Sequence, residues 1–201
     1  MKISIENYNP DWKNQFLIFS EKIGLILKEF NPRIEHIGST SVPNLAAKPI
    51  IDIMVGLEKL SQLDNTIKPM TKNNFIYYES FNELMPNRRF FIGLKNGACL
   101  NQFKSMYTKK DTIPHKKIHK HKIVHIHIWG IKSLEWTRHI AFREYLITHP
   151  KIALKYEQLK RRLSHKDWID GNEYNQEKNN FIKLVESKAI QWYNKTATST
   201  N

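Results

Sequence analysis

Residues 49–56 read PIIDIMVG, an apolar run of buried-strand type with one aspartate in its interior. A carboxylate placed there loses its hydration unless a cation, a metal or hydrogen-bond donors meet it. Side-chain alternation sends Ile51 and Ile53 to one face and Asp52 to the other. The chain must therefore fold so that the Asp52 face carries a counter-charge while the opposite face enters the core. Two readings satisfy that requirement: an ion pair with Lys48 or a nearby arginine, or metal-binding and catalytic work.

Around this strand the pattern is mixed. Asn9-Pro10-Asp11 is a helix-start signal with Asp11 as a plausible N-cap. Trp12, Phe16, Phe19, Ile23, Ile26 and Phe30 then recur at three- and four-residue steps, which predicts an amphipathic helix ended by Asn31-Pro32. RIEHIG (33–38) alternates and reads as a strand, TSVPNLAA as a loop or short helix. Residues 59–72 are weakly helical, with Pro69 closing them. NFIYYES, RRFFIGL and IVHIHIW (123–129) are further strands, and KNGA (95–98) is a turn. Residues 99–122 read either as a strand pair or as a mobile basic loop. From Ser133 onward, Leu134 to His149, Pro150 to about Ser164 and Asn172 to Tyr193 carry helical spacing. The class is α+β: a mixed sheet with an N-terminal helix and a helical C-terminal third.

A chain of 201 residues that is 40% hydrophobic has enough apolar material for one real core. The expected organisation is a single domain over 1–193, with a sheet-containing part (1–132), a helical part (133–193) and a disordered tail (194–201). No apolar run approaches the roughly 20 residues that cross a bilayer, so no membrane partner is expected. MKISIENYNPDW lacks the apolar region of a secretion signal, and Cys99 is the single cysteine, which excludes an intrachain disulfide. These features make a cytoplasmic protein the expectation; they leave the oligomeric state open.

The net charge of +13 favours polyanionic partners. Lys104 to Lys122 contains seven lysines against one acid, Asp111, and five of the nine histidines (115, 119, 121, 125 and 127) lie in or just beyond it. A solvated basic loop is the ordinary reading. RNA binding there has thin support, since only Phe103 and Tyr107 interleave the lysines and no RNA-module signature is present.

Several residues carry chemistry. Gly38-Ser39 suits a tight turn whose backbone N–H groups and hydroxyl grip phosphate. Glu35 shares a face with Asp52 only if the two strands pair in the right register. His125 and His127 stand two apart and so share a strand face; neutral imidazole ligates transition metals, whereas magnesium prefers oxygen. The wider H-x3-H-x-H-x3-H-x-H spacing suggests zinc, but no second cysteine supports it and the interspersed lysines repel a cation. VHIHIW also resembles part of a histidine-triad nucleotide hydrolase motif, with Trp129 in place of the third histidine. The helical third offers Arg138, His139, Arg143, Lys160, Arg161 and Lys178, and Arg143 shares a helix face with His139.

The string IEHIGSTSVPNLAAKPIIDIMVG (34–56), with NYNPDW before it and RRFF, HIHIW, RHIAFREYLITHP and YEQLKRRL after it, resembles the GrpB-like family over about residues 5–190. That family resembles the polymerase-beta-type nucleotidyltransferase superfamily in fold. The resemblance implies that Gly38 and Ser39 grip phosphate; Thr40 beside them and the basic Lys48 and Arg143 are expected to share in binding it. It makes Asp52 the first metal carboxylate, while Met54 stands where the second belongs. His125 and His127 fall on the late strand that usually bears the third. A divalent cation, magnesium or manganese, held by Glu35, Asp52 and His127 is the implied cofactor, and the same three residues are the implied catalytic set. The implied partner is a nucleotide or nucleotide-containing small molecule, and the implied reaction is nucleotidyl or phosphoryl transfer to an unidentified acceptor. Some relatives are fused to dephospho-CoA kinase, which points towards nucleotide metabolism. The alternative is a non-catalytic nucleotide- or cofactor-binding protein, because Met54 weakens a two-metal arrangement.

Overall fold

The computed structural model describes residues 2–95, 101–169 and 171–198, so Cys99 and most of the predicted 95–98 turn lie outside the described residues. Helix α1 (Asp11–Ile26) starts one residue earlier than the cap signal suggests: Asn9 Oδ1 accepts the Asp11 amide at 3.0 Å, and Asp11 is the first helical residue. The helix ends before Asn31, which takes the left-handed conformation (φ 45°), and Pro32 prevents its resumption.

Strand β1 (Arg33–Ile37) pairs antiparallel with β2 (Ile51–Leu57). Helix α2 (Ile67–Lys72) follows, with Pro69 inside its first turn, where a missing N–H loses nothing. The sequence reading made Pro69 a stop; its position in the first turn makes it compatible with helix. Then come β3 (Ile76–Tyr78), β4 (Arg89–Leu94), the two-residue β5 (Met106–Tyr107), α3 (His115–His121) and β6 (Lys122–Gly130). The basic segment is thus neither a strand pair nor a loop throughout: it ends in a short helix anchored by buried Ile118. The sheet order is β1-β2-β6-β4-β3-β5, with β2/β6 and β3/β5 parallel and the other pairs antiparallel.

Alternation gives the sheet two faces. Ile51, Ile53 and Val55 with Val124, Ile126, Ile128 and Phe91 form one, packed with Trp12, Ile23 and Leu27 of the α1 region and Met70 of α2. The other carries Ile37, Met54 and Trp129 against Trp136 and Ile140 of α4 (Leu134–Thr148). Gly56 permits that approach, since a Cβ there would lie 2.6 Å from the Trp136 ring. Ser133 Oγ caps α4 by accepting the Trp136 amide at 3.2 Å.

Helix α5 (Pro150–Ser164) starts with proline at its first position, and α6 (Gly171–Thr198) continues past Tyr193 through Thr198, so the helix covers the beginning of the segment read as a tail. These helices bury Val42 and Leu45 among Leu146, Ala153, Tyr156 and Val185. Ile3 packs with Leu163, Trp168 and Tyr174, which ties the N-terminal segment to the helical third. The architecture is α+β, with a six-stranded mixed sheet. Among the described residues no helix is long and apolar enough to cross a membrane.

Candidate metal and anion site

The parallel β2/β6 register sets Asp52 beside His125 and Met54 beside His127. Because the strand period is two, Asp52, His125 and His127 project from one face. Each offers one ligand atom, and the three atoms lie within 4.8 Å of one another. His125 Nδ1 and Asp52 Oδ1 are 2.9 Å apart. Burial is the main cause that lowers the His125 pKa to about 4, with the Lys122 charge adding to it. His127 is held well below the usual range by burial and by Arg88. Burial pushes the Asp52 carboxyl up, but the His125 hydrogen bond and the His125, His127 and Lys48 charges outweigh it and hold the group well below the carboxylate range. Near neutral pH the pair is therefore carboxylate and neutral imidazole, and the Nδ1–H donates to Oδ1.

That assignment leaves His125 Nε2 with a lone pair. His125 Nε2 and His127 Nδ1 are both buried without a hydrogen-bond partner in the protein. Leaving a polar atom so costs about 1–3 kcal/mol. A divalent ion held by all three residues would replace the proton between His125 Nδ1 and Asp52 Oδ1 and would give the orphaned His127 Nδ1 a partner. A donor set of two imidazoles and one carboxylate suits manganese, iron or zinc better than magnesium.

These three residues line a cavity of about 650 Å³. Its other charged side chains are cationic: Lys48, Arg88, Lys122, Lys160 and Lys178, with Asp52 the one carboxylate among the described lining residues. Lys160 is 2% exposed and donates to the Ala46 carbonyl. Burial first, then the Lys178 charge, with Glu157 opposing and Arg161 adding, lowers its pKa to about 7. Lys178 falls to about 7 through burial and Lys48, and Lys122 to about 8 by the same two causes, each partly offset by Asp52. Lys48 is also lowered by burial, against the pull of Asp52. Lysines crowded together with one carboxylate among them form a site that an anion stabilises.

Lys122 reaches the cavity through an irregularity. The β4/β6 register pairs Gly93 with Val124 but Leu94 with Lys122, so Ile123 is an extra residue. This bulge turns Lys122 to the face of His125.

The residues singled out from sequence divide. Asp52, His127, Ser39, Thr40 and Lys48 all line the cavity. Ser39 has its hydroxyl on the Tyr156 phenol, whose pKa is raised chiefly by burial, and Thr40 Oγ1 lies 3.0 Å from His36 Nε2. Gly38 adopts φ 73°. Glu35 shares the Asp52 face but sits opposite Met54, and its carboxylate pairs with Arg33 at 2.9 Å and Arg143 at 3.0 Å. Arg143 also binds the His36 carbonyl at 2.7 Å and Glu144 at 2.7 Å. Glu35 and Arg143 are thus spent on each other, outside the Asp52–His125–His127 cluster. Met54 is 0% exposed and packed among Ile37, Trp129, Trp136 and Ile140.

His125, read from sequence as one of a pair, ranks with His127 in the cluster. Arg88 and Lys122 were not among the predicted site residues, and Lys160 and Lys178 were named only among the basic residues of the helical third. A signal existed for two of them. Lys160 falls in step with Ala153, Tyr156 and Leu163 on the buried stripe of α5, and Lys178 follows Tyr174 by four on that of α6. A lysine at an apolar position of an amphipathic helix needs an explanation.

A family model described as GrpB protein matches residues 2–188. The chain is 33% identical over 193 residues to the YqkA protein of Bacillus subtilis (strain 168), covering 95% of this chain and 48% of that protein, so it spans about half the length of this relative. It is 25% identical to the glutamate-rich protein GrpB of Alkalihalophilus pseudofirmus, covering 92% of this chain and 94% of the relative. A crystal structure of the conserved protein GrpB from Enterococcus faecalis superposes with a TM-score of 0.72 at 32% identity, over 94% of this chain and 99% of the other. The chain belongs to the GrpB family.

Proposed function

We propose that this protein binds a divalent transition ion at Asp52, His125 and His127 and acts on a phosphate-bearing small molecule, transferring a nucleotidyl or phosphoryl group to an acceptor hydroxyl. The observation that carries the reading is the convergence of those three residues within 4.8 Å inside a cavity lined by five cationic side chains. The Gly38-Ser39 turn beside Asp52 agrees with a nucleotidyltransferase pattern; Met54 departs from it.

When bound, the ion would supply Lewis acidity and charge neutralisation at a phosphoryl oxygen. The chain's own part is electrostatic and positional, which is what this reaction class chiefly needs. Lys48, Lys122, Lys160 and Lys178 hold the phosphate oxygens and offset the charge that develops as the acceptor oxygen gives its proton to water and bonds to phosphorus while the bond to the leaving oxygen breaks. In the ion-free site Asp52 holds the His125 ring in place through the Nδ1–H hydrogen bond.

The test is turnover of a panel of nucleoside triphosphates and other phosphate esters, with manganese or zinc, by wild type and Asp52→Asn. Product that depends on Asp52 supports transfer. Product formation that Asp52→Asn leaves intact contradicts it. A second reading, metal-anchored binding without turnover, is favoured by the burial of Met54, which leaves a single carboxylate for the ion. It predicts ligand binding with no product under any divalent ion.

A further inference from the structure

The cavity wall is not uniform. On the β4 side, residues 78–90 supply Tyr78, Phe81, Leu84, Met85, Arg88 and Phe90. Three of these rings stack: Tyr78 on Phe81 at 5.2 Å, Tyr78 on Phe90 at 5.7 Å and Phe81 on Phe90 at 5.6 Å between centroids. The Arg88 guanidinium lies 5.2 Å from the Phe90 ring centre. Leu84 is 85% exposed at the rim. On the β2 side the wall is cationic: Lys48 precedes β2, Lys160 is anchored on Ala46 of the same segment, and Lys178 feels the Lys48 charge. The Asp52–His125–His127 cluster stands between, since Phe90 is the cross-strand neighbour of His127 and its ring is 5.0 Å from that imidazole.

An anion with no organic part would use only the lysine side. One phosphate, carrying about two negative charges, together with Asp52 leaves part of the five basic side chains without counter-charge. Aromatic faces accept flat π systems, and arginine stacks beside them. We propose that the cavity takes a chain of two or more phosphates joined to a flat aromatic group, the phosphates at Lys48, Lys160 and Lys178 and the flat group against Phe81 and Arg88, which the buried Tyr78 and Phe90 rings back. This deepens the function proposed above and rests on its anion-binding half.

The experiment is calorimetric titration of wild type with inorganic tripolyphosphate and with each of the four ribonucleoside triphosphates, in chelator and again with manganese. At least one nucleoside triphosphate should bind ten-fold or more tightly than tripolyphosphate. Phe81→Ala should erase that advantage and leave tripolyphosphate affinity within two-fold. Lys178→Gln should weaken both ligands ten-fold or more. Leu84→Ser, at an exposed position, should weaken the nucleotide alone by about three-fold and gives a reading should Phe81→Ala fail to fold. Equal affinity for tripolyphosphate and all four nucleotides, equal loss of both on the aromatic substitutions, or no binding of tripolyphosphate would overturn the proposal. Wild type in chelator and with manganese separates the two ideas: if the metal reading is wrong, no manganese binds and the ring-dependent difference stands in chelator, whereas if this inference is wrong, the difference is absent while manganese binding is retained.

Discussion

A Cβ built on Gly38 would lie 2.5 Å from Asp52 Oδ2 and 2.9 Å from Asp52 Cβ. Gly38 is therefore required twice, by its φ of 73° and by the carboxylate it makes room for. The glycine that from sequence suggests a phosphate grip is in the structure the residue that lets Asp52 stand where it does. Gly38→Ala should lower stability by about 1–3 kcal/mol and weaken manganese binding ten-fold or more. Denaturant unfolding and metal titration of the variant check this, and wild-type behaviour in both would contradict it.

Met54 marks how the site differs from a two-carboxylate centre. Met54→Asp would bury an unpaired carboxylate among Ile37, Trp129, Trp136 and Ile140. The expected result is a loss of more than about 3 kcal/mol or failure to fold. Met54→Leu, nearly equal in volume, should lose less than about 1.5 kcal/mol. A stable Met54→Asp protein with tighter manganese binding would show that packing does not enforce the single carboxylate.

Arg143 should behave as a structural residue. Its guanidinium joins Glu35, Glu144 and the His36 carbonyl next to Gly38. Arg143→Ala should lower stability by about 2–4 kcal/mol, because Glu35 is left without its helix partner. Tripolyphosphate affinity, measured where the variant is folded, should stay within three-fold. A large loss of affinity at unchanged stability would make Arg143 a ligand after all.

Lys160 gives a pH signature. Its folded pKa of about 7 lies below the ordinary lysine value of 10.5, so between these values the unfolded chain binds more protons and stability rises with pH. Below pH 7 the lysine is protonated in both states and contributes no slope. The groups that face it are Lys178, Glu157, Arg161, the Ala46 carbonyl and the Tyr156 ring, 4.6 Å from its ammonium. Relative to Lys160→Met, wild type should gain about 1.4 kcal/mol per pH unit above pH 7.5. Urea unfolding of both proteins from pH 6 to 9 measures the difference; parallel profiles would contradict the assignment.

The sheet and the C-terminal helices were legible because single-strand and single-helix periodicity carries them: Ile51 to Val55, the 125/127 histidine alternation, and the starts at Leu134 and Pro150 all agree with the structure. What pairing decides was not legible. Nothing local says that β1 registers Glu35 against Met54, which sets Glu35 two pairs along from the Ile37–Asp52 match and hands it to Arg143. Nothing local announces the bulge at Ile123 that brings Lys122 to the site. Helix α3 within a lysine-rich stretch depends on one buried side chain, Ile118, and propensity alone does not reveal it. Lys160 and Lys178 were visible as charges, and their place on the buried stripes was the clue to their setting.

Direct titration of the purified, metal-free chain with manganese and with zinc, alongside Asp52→Asn and His127→Gln, tests the central claim most directly. One ion per chain, with affinity lowered a hundred-fold or more in either variant, is the predicted result. A wild type that binds no ion, or one whose binding both substitutions leave unchanged, would contradict a metal centre at Asp52, His125 and His127.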